Sequence, residues 1–282
     1  MNQIEKLDSI TYDQFVKNYV KPGIPVVLKH ASDSWHAKHS FDPDYFRKHF
    51  GRHTTTYKGK VYSMSEVLDI TEKSTFDNPA PYPLLFEIPI HLPELLSAFK
   101  PLHLNYAYPN WFSSKLFPYG RLGKSIQLFI GGAGNQYVLH KDSYHTNAWI
   151  TQLYGEKEFI AFPRNQEDLL YPQDYGFVSP INILKPDYEQ YPRYKAATPL
   201  RVLLKPGETM YMPNGIWHTT VAHGHNISLI VDQLNGSNYG AWKKDIYDYG
   251  INRSKLKTLA QYGFAQVLGS VFRLREMANP KF

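Results

Sequence analysis

Cysteine is absent from the chain. That excludes disulfides, thiolate zinc sites, iron–sulfur clusters and cysteine nucleophiles together. Also missing is any apolar run near the roughly 18–20 residues of a spanning helix, and residues 1–15 hold no apolar stretch of the signal-peptide kind. A reducing, cytoplasmic address without membrane contact is therefore expected. Charge is modest: 31 Lys and Arg against 25 Asp and Glu give a net +6, scattered rather than run together, as on a solvated surface. No internal repeat, low-complexity tract or linker-like stretch interrupts the sequence. What the chain does have is 22 Tyr, 16 Phe, 12 His, 20 Pro and 18 Gly, a composition that goes with strands and many turns. A length of 282 residues fits one large domain or two small ones, and the missing linker favours one compact unit.

Three stretches differ in character. Residues 1–124 mix helix and strand and are expected to pack on a barrel. Thr11 with Gln14 forms a capping-box pair ahead of Tyr12, Phe15, Val16 and Tyr19 at helical spacing, and Pro22-Gly23 stops that helix. Residues 24–28 read as a strand. Asp42-Pro43 begins a helix through Phe50, with Gly51 where a C′ glycine belongs, and Ser63 with Glu66 makes a second capping box. Residues 125–235 read as short strands at 125–130, 136–140, 147–154, 157–162, 201–204, 209–212, 217–221 and 227–231. That density predicts a mainly β fold of jelly-roll type, a double-stranded β-helix with flanking helices. Residues 236–282 return to helix. There Leu256, Leu259, Gly263, Val267, Val271 and Leu274 recur every three or four residues, with Pro280 just beyond. The stripe is expected to pack on its own domain, the alternative being the same helix of a second subunit in a homodimer.

Leu139-His140-Lys141-Asp142 carries the most specific chemistry. In a strand, residues i and i+2 share a face, so His140 and Asp142 are able to reach one metal. His218 is the best third ligand, because a Pro213-Asn214-Gly215 turn brings its strand back toward the same cavity. Two imidazoles and one carboxylate on one face leave adjacent positions open, as in non-haem Fe(II) oxygenases. With 12 histidines a single His-x-Asp is not rare. His145, His223 and His225 read as surface or supporting residues.

The surroundings of this pattern are more telling. Residues 131–142, GGAGNQYVLHKD, resemble the glycine-containing strand that brings the first two ligands into JmjC-type, cupin-like 2-oxoglutarate oxygenases. Residues 154–163, YGEKEFIAFP, resemble the "G-x-K…F-P" strand of that family. Residues 205–213, KPGETMYMP, with Trp217-His218, match its "P-G-E…P…W-H" segment. Pro25-Val26-Val27-Leu28, Trp35 and residues 41–51 look like the N-terminal portion of its small hydroxylase members, and the resemblance covers most of residues 10–235.

The resemblance implies Fe(II) held by His140, Asp142 and His218, with 2-oxoglutarate and O₂ as co-substrates. Lys157 would grip the distal carboxylate of 2-oxoglutarate, for which a buried cation makes physical sense. Tyr137 stands where many members place a threonine on that carboxylate, and Thr146 and Asn147 are further polar contacts. Many members carry an Asn on the strand after the third ligand. Here Asp232 falls near that position, and an acid there repels the co-substrate unless it points away. Asp142 argues against halogenation, because related halogenases free that position for chloride.

The expected reaction is hydroxylation of an unactivated C–H bond, with succinate and CO₂ as co-products. The expected substrate is an amino-acid side chain in a protein, a peptide or a free amino acid. The aromatic residues Tyr106, Tyr108, Trp111, Phe112 and Phe117 either line the substrate mouth or cover the barrel end, and the Pro- and Tyr-rich insertion at 171–194 is of the kind that sets specificity. Alternatives are an RNA-modifying oxygenase whose aromatics stack bases, a lysine demethylase, and a non-catalytic cupin-like binding module. The complete set of His140, Asp142, His218 and Lys157 argues against the last.

Overall fold

Residues 3–36, 40–100, 102, 106–173 and 176–279 are described by the computed structural model. The N-terminal part runs β1 (Glu5–Leu7), α1 (Tyr12–Phe15), β2 (Val26–Leu28), α2 (Asp33–His36), α3 (Pro43–Phe50), β3 (Thr54–Tyr57), β4 (Lys60–Ser63), α4 (Met64–Glu72), β5 (Leu84–Glu87) and α5 (Ile88–His91). Then follow β6 (Ile126–Gly131), β7 (Asn147–Tyr154), β8 (Lys157–Phe162), β9 (Leu200–Leu204), β10 (Thr209–Met212), β11 (Trp217–Ala222) and β12 (Asn226–Gln233), and after them α6 (Tyr239–Ile251) and α7 (Lys255–Ala278). Both capping boxes form. The Thr11 and Ser63 hydroxyls accept from the amides of Gln14 and Glu66, whose side chains accept from the cap amides in return.

The strands make two facing sheets, not a closed barrel. The larger has the order β1-β2-β10-β7-β12-β6-β5 and the smaller β11-β8-β9, with β3 and β4 as a separate hairpin. Period-two alternation decides what each strand offers. On β6, Ile126, Leu128 and Ile130 join the core under the N-terminal helices, while Gln127 and Phe129 face the space between the sheets. On β12, Ile227, Leu229 and Val231 go to that same core, and Ile230 and Asp232 to the inter-sheet space. A smaller cluster, with Ile150, Phe159, Ala161, Met210 and Met212, closes the far end of the sandwich. The Pro213-Asn214-Gly215 turn, with Gly215 at φ +70°, carries the chain from β10 in one sheet to β11 in the other.

Four expectations need correction. Residues 136–140 are not a regular strand. They pair antiparallel with β11, but the register slips by one residue between Tyr137, whose amide donates to Thr220 O, and His140, which exchanges both backbone bonds with His218. Gly51 is not a left-handed C′ residue. It is the C-cap of α3 at φ −51°, and a Cβ there would lie 2.4 Å from Arg47 O and 2.7 Å from Ser65 Oγ, so space rather than φ requires glycine. The aromatic residues Trp111, Phe112 and Phe117 do not line a mouth. They are buried in a core with Tyr239, Trp242, Ala265 and Phe272 of α6 and α7.

The stripe on α7 does not pack on its own domain. Thr258, Ala265, Gly269 and Phe272 form the buried face, whereas Leu256, Leu259, Val267, Val271 and Leu274 are exposed. Tyr239 and Trp111 select the inner face, Tyr239 by needing a residue without a side chain opposite and Trp111 by stacking on Phe272 at 5.7 Å between ring centroids. A Cβ on Gly269 would meet the Tyr239 ring at 2.0 Å. Pro280 lies outside the described residues.

Candidate metal centre

A cavity of about 350 Å³ lies between the two sheets. His140, Asp142 and His218 meet on its wall, with one potential ligand atom from each lying within 4.8 Å of the others. His140 Nε2 is 3.5 Å and His218 Nε2 3.8 Å from Asp142 Oδ1. Each imidazole has its other nitrogen engaged. His140 Nδ1 bonds the Val138 carbonyl at 2.9 Å and His218 Nδ1 the Ile216 carbonyl at 3.0 Å. A carbonyl only accepts, so Nδ1 carries the proton in both rings and both Nε2 lone pairs are left for a metal.

Burial and the adjacent His140 push His218 down to about 4, keeping it neutral at physiological pH. Burial by itself would raise Asp142, but the two imidazoles hold it below the usual carboxylate range. Two imidazoles presenting Nε2 and one carboxylate fit a divalent iron. No other group of three such side chains able to hold a metal occurs among the described residues.

The register slip beside β11 builds this wall. Tyr137 and His140 are three apart and would face opposite ways in an unbroken strand; the extra residue lets both line the cavity. On the other edge of the segment, the Lys141 amide donates to Phe177 O and the Ser179 amide to Leu139 O, so part of the 171–194 insertion braces the ligand segment.

At one end of the cavity sits Lys157, the first residue of β8 and only 2% exposed. Its ammonium donates to the Tyr82 hydroxyl at 2.9 Å and lies over the Tyr82 and Phe129 rings, and no carboxylate among the described residues pairs with it. Burial pushes it down to about 7. Thr220 lines the same cavity, its buried hydroxyl beside that of Tyr82. The Tyr137 ring packs edge-on against His140, with centroids 4.7 Å apart. A buried cation, two phenols and the Thr220 hydroxyl form a donor set suited to a carboxylate.

The other end is acidic. Asp232 lines the cavity, with the Ser125 side chain and Thr146 Oγ1, the latter at 3.4 Å, donating to it. Burial, with Asp142 and Glu87 nearby, raises it well above the ordinary value. Glu87 accepts from Gln127 Nε2 at 2.6 Å, and burial raises it too.

Of the residues expected from the sequence, His140, Asp142, His218, Lys157, Tyr137, Thr146 and Asp232 line this one cavity. Asn147 does not. It is fully buried on the opposite side of β7, where its Oδ1 accepts from the Asn214 amide at 2.9 Å. His145 pairs with Asp245, and His223 with Glu158, away from the cavity. Tyr82, Glu87 and Thr220 were not foreseen. Thr220 was findable, being two residues beyond His218 on one strand; Tyr82 and Glu87 come from a distant segment that carries no local signal.

Fold and site together define a cupin-like sandwich with a His-Asp-His centre. The sequence profile of the cupin-like domain family matches residues 57–232, and the chain belongs to that family. Among its relatives, the human HSPB1-associated protein 1 is 34% identical over 36% of this chain and 22% of its own length. The arginine-specific demethylase JMJ22 of Arabidopsis thaliana is 24% identical over 84% of this chain and 47% of its own. The chicken 2-oxoglutarate and iron-dependent oxygenase JMJD4 is 23% identical over 83% and 60%. The chain thus spans less than two thirds of the length of each.

Proposed function

We propose that this chain is an Fe(II)- and 2-oxoglutarate-dependent oxygenase that hydroxylates an amino-acid side chain of a protein. The observation that carries the reading is the pairing, in one cavity, of a His-Asp-His cluster having both Nε2 atoms free with a buried, uncompensated lysine. The kinship with an oxygenase named for both iron and 2-oxoglutarate supports it.

In this reading His140, Asp142 and His218 hold the iron. When bound, the iron supplies the redox chemistry that couples decarboxylation of 2-oxoglutarate to oxygenation of a C–H bond. Lys157 binds the distal carboxylate, with Tyr82, Tyr137 and Thr220 completing its hydrogen bonds. Phe129 and Phe159 keep water from that end. Burial favours the uncharged form of Asp232, which lessens its repulsion of the co-substrate.

Glu87 and Asp232 place two buried carboxyl groups at the other end, hydrogen-bond acceptors that favour the N–H donors of a basic side chain as substrate. Kinship with an arginine-specific demethylase points the same way and makes demethylation of a methylated basic side chain the second reading. The exposed apolar face of α7 supports a homodimer.

The test is anaerobic. Fe(II) and then 2-oxoglutarate are added to the protein, the weak visible charge-transfer band is recorded, and O₂ is admitted with succinate as the readout. Succinate in the presence of a basic peptide, with a mass gain of one oxygen, establishes hydroxylation; formaldehyde from a methylated peptide establishes the second reading. Metal-loaded protein with neither band nor succinate would leave a binding module.

A further inference from the structure

One residue beyond Asp142 the backbone passes through two consecutive left-handed residues, Tyr144 at φ 59° and His145 at φ 45°. Neither is glycine, and bulky residues occupy that region only where their surroundings hold them there. The surroundings are supplied by α6, which lies outside the span matched by the family profile. Asp245, 4% exposed, accepts from His145 Nδ1 at 2.7 Å, and Asn238 Nδ2 donates to the His145 carbonyl at 2.9 Å. Tyr144 packs on Tyr249 with ring centroids 5.3 Å apart.

A second strained stretch is held by the same helix. Trp242 Nε1 donates to the carbonyl of Leu122, itself left-handed at φ 55°, and the next residue, Gly123, has no room for a side chain because Tyr144 Cβ would be 2.9 Å away.

We infer that α6 is a latch on the metal-ligand loop, with the His145–Asp245 pair fixing the backbone that aims the Asp142 carboxylate at the Nε2 atoms of His140 and His218. The inference rests on the metal centre proposed above. Asp245 lines no part of the cavity, so it acts as a positioning residue. Released from it, residues 144 and 145 relax toward right-handed backbone and Asp142 swings with them. Residues that orient metal ligands in this indirect way change metal affinity by about 10- to 100-fold when removed.

Cobalt(II) serves as the probe in the intact chain, its visible absorption reporting both affinity and coordination. Asp245→Leu is expected to weaken Co(II) binding at least tenfold and to alter the spectrum. Asp245→Asn, which keeps an acceptor for His145 Nδ1, should recover most of the affinity. Asp248→Asn, on the same helix but paired only with the exposed Lys244, should match the wild type. If Asp245→Leu fails to fold, His145→Asn serves instead, because asparagine tolerates the left-handed turn while lacking the imidazole.

Affinity within twofold of wild type with an unchanged spectrum in Asp245→Leu or His145→Asn would overturn the latch. So would an equal loss in Asp248→Asn, which would mean that any weakening of α6 has the effect. Wild-type protein that binds no Co(II) would instead overturn the metal centre, and the latch with it.

Discussion

Burial brings the Lys157 ammonium to a pKa of about 7, against an ordinary 10.5, and this sets a pH dependence for the whole site. Below about pH 7 the free protein already carries the charge that an anionic co-substrate needs. Between about 7 and 10.5 a proton must be taken up on binding, so affinity for 2-oxoglutarate falls by up to tenfold per pH unit in that window. Calorimetric titration of metal-loaded protein across the range checks this; a flat profile would mean that the carboxylate is held elsewhere. Lys157→Ala should weaken 2-oxoglutarate by about 10- to 100-fold and abolish the pH dependence, leaving Co(II) affinity unchanged. His140→Ala or Asp142→Ala should abolish metal binding and turnover while shifting the thermal midpoint by no more than about 5 °C, because each removes a polar group from a cluster that is costly to desolvate. Retained activity in either variant would remove that residue from the ligand set.

Local elements were readable wherever one residue's chemistry suffices. A hydroxyl three residues before Gln or Glu announced both capping boxes, and short β-type runs set off by turn residues announced β7, β8 and β10 with their observed bounds. The segment before His140 was not readable, because its bulge exists only against β11. Gly155 shows the same dependence on a neighbour. It stands at φ +62° in the turn that delivers Lys157, and a Cβ would lie 2.1 Å from the His225 carbonyl. Gly155→Ala should therefore destabilise the fold by roughly 1–3 kcal/mol or more, from backbone strain plus the clash, as measured by urea unfolding. Unchanged stability would show that this turn has slack the contacts do not reveal.

At the scale of the molecule, the C-terminal helices do two things at once. Through α6 they grip the loop after Asp142, and through α7 they turn Val267 and Leu274, each 68% exposed, outward. For the proposed homodimer, sedimentation should give twice the monomer mass, and Val267→Asp with Leu274→Asp should return it to monomer without loss of fold; a monomeric wild type would rule the dimer out. The cavity itself is a product of two sheets brought face to face, with Glu87 from β5, Asp232 from β12 and Tyr82 from the loop before β5 added to the His-Asp-His wall. By itself the sequence determined the strand-rich class and the capping boxes, because period, spacing and residue chemistry are local quantities, whereas the triad and Lys157 were pointed to by the resemblance of their surrounding motifs to a known family. Tertiary structure alone decided which face of α7 is buried, how a bulge puts Tyr137 and His140 on one side, and which distant residues close the pocket. Those depend on what packs opposite, and nothing in a local stretch of chain records its partner.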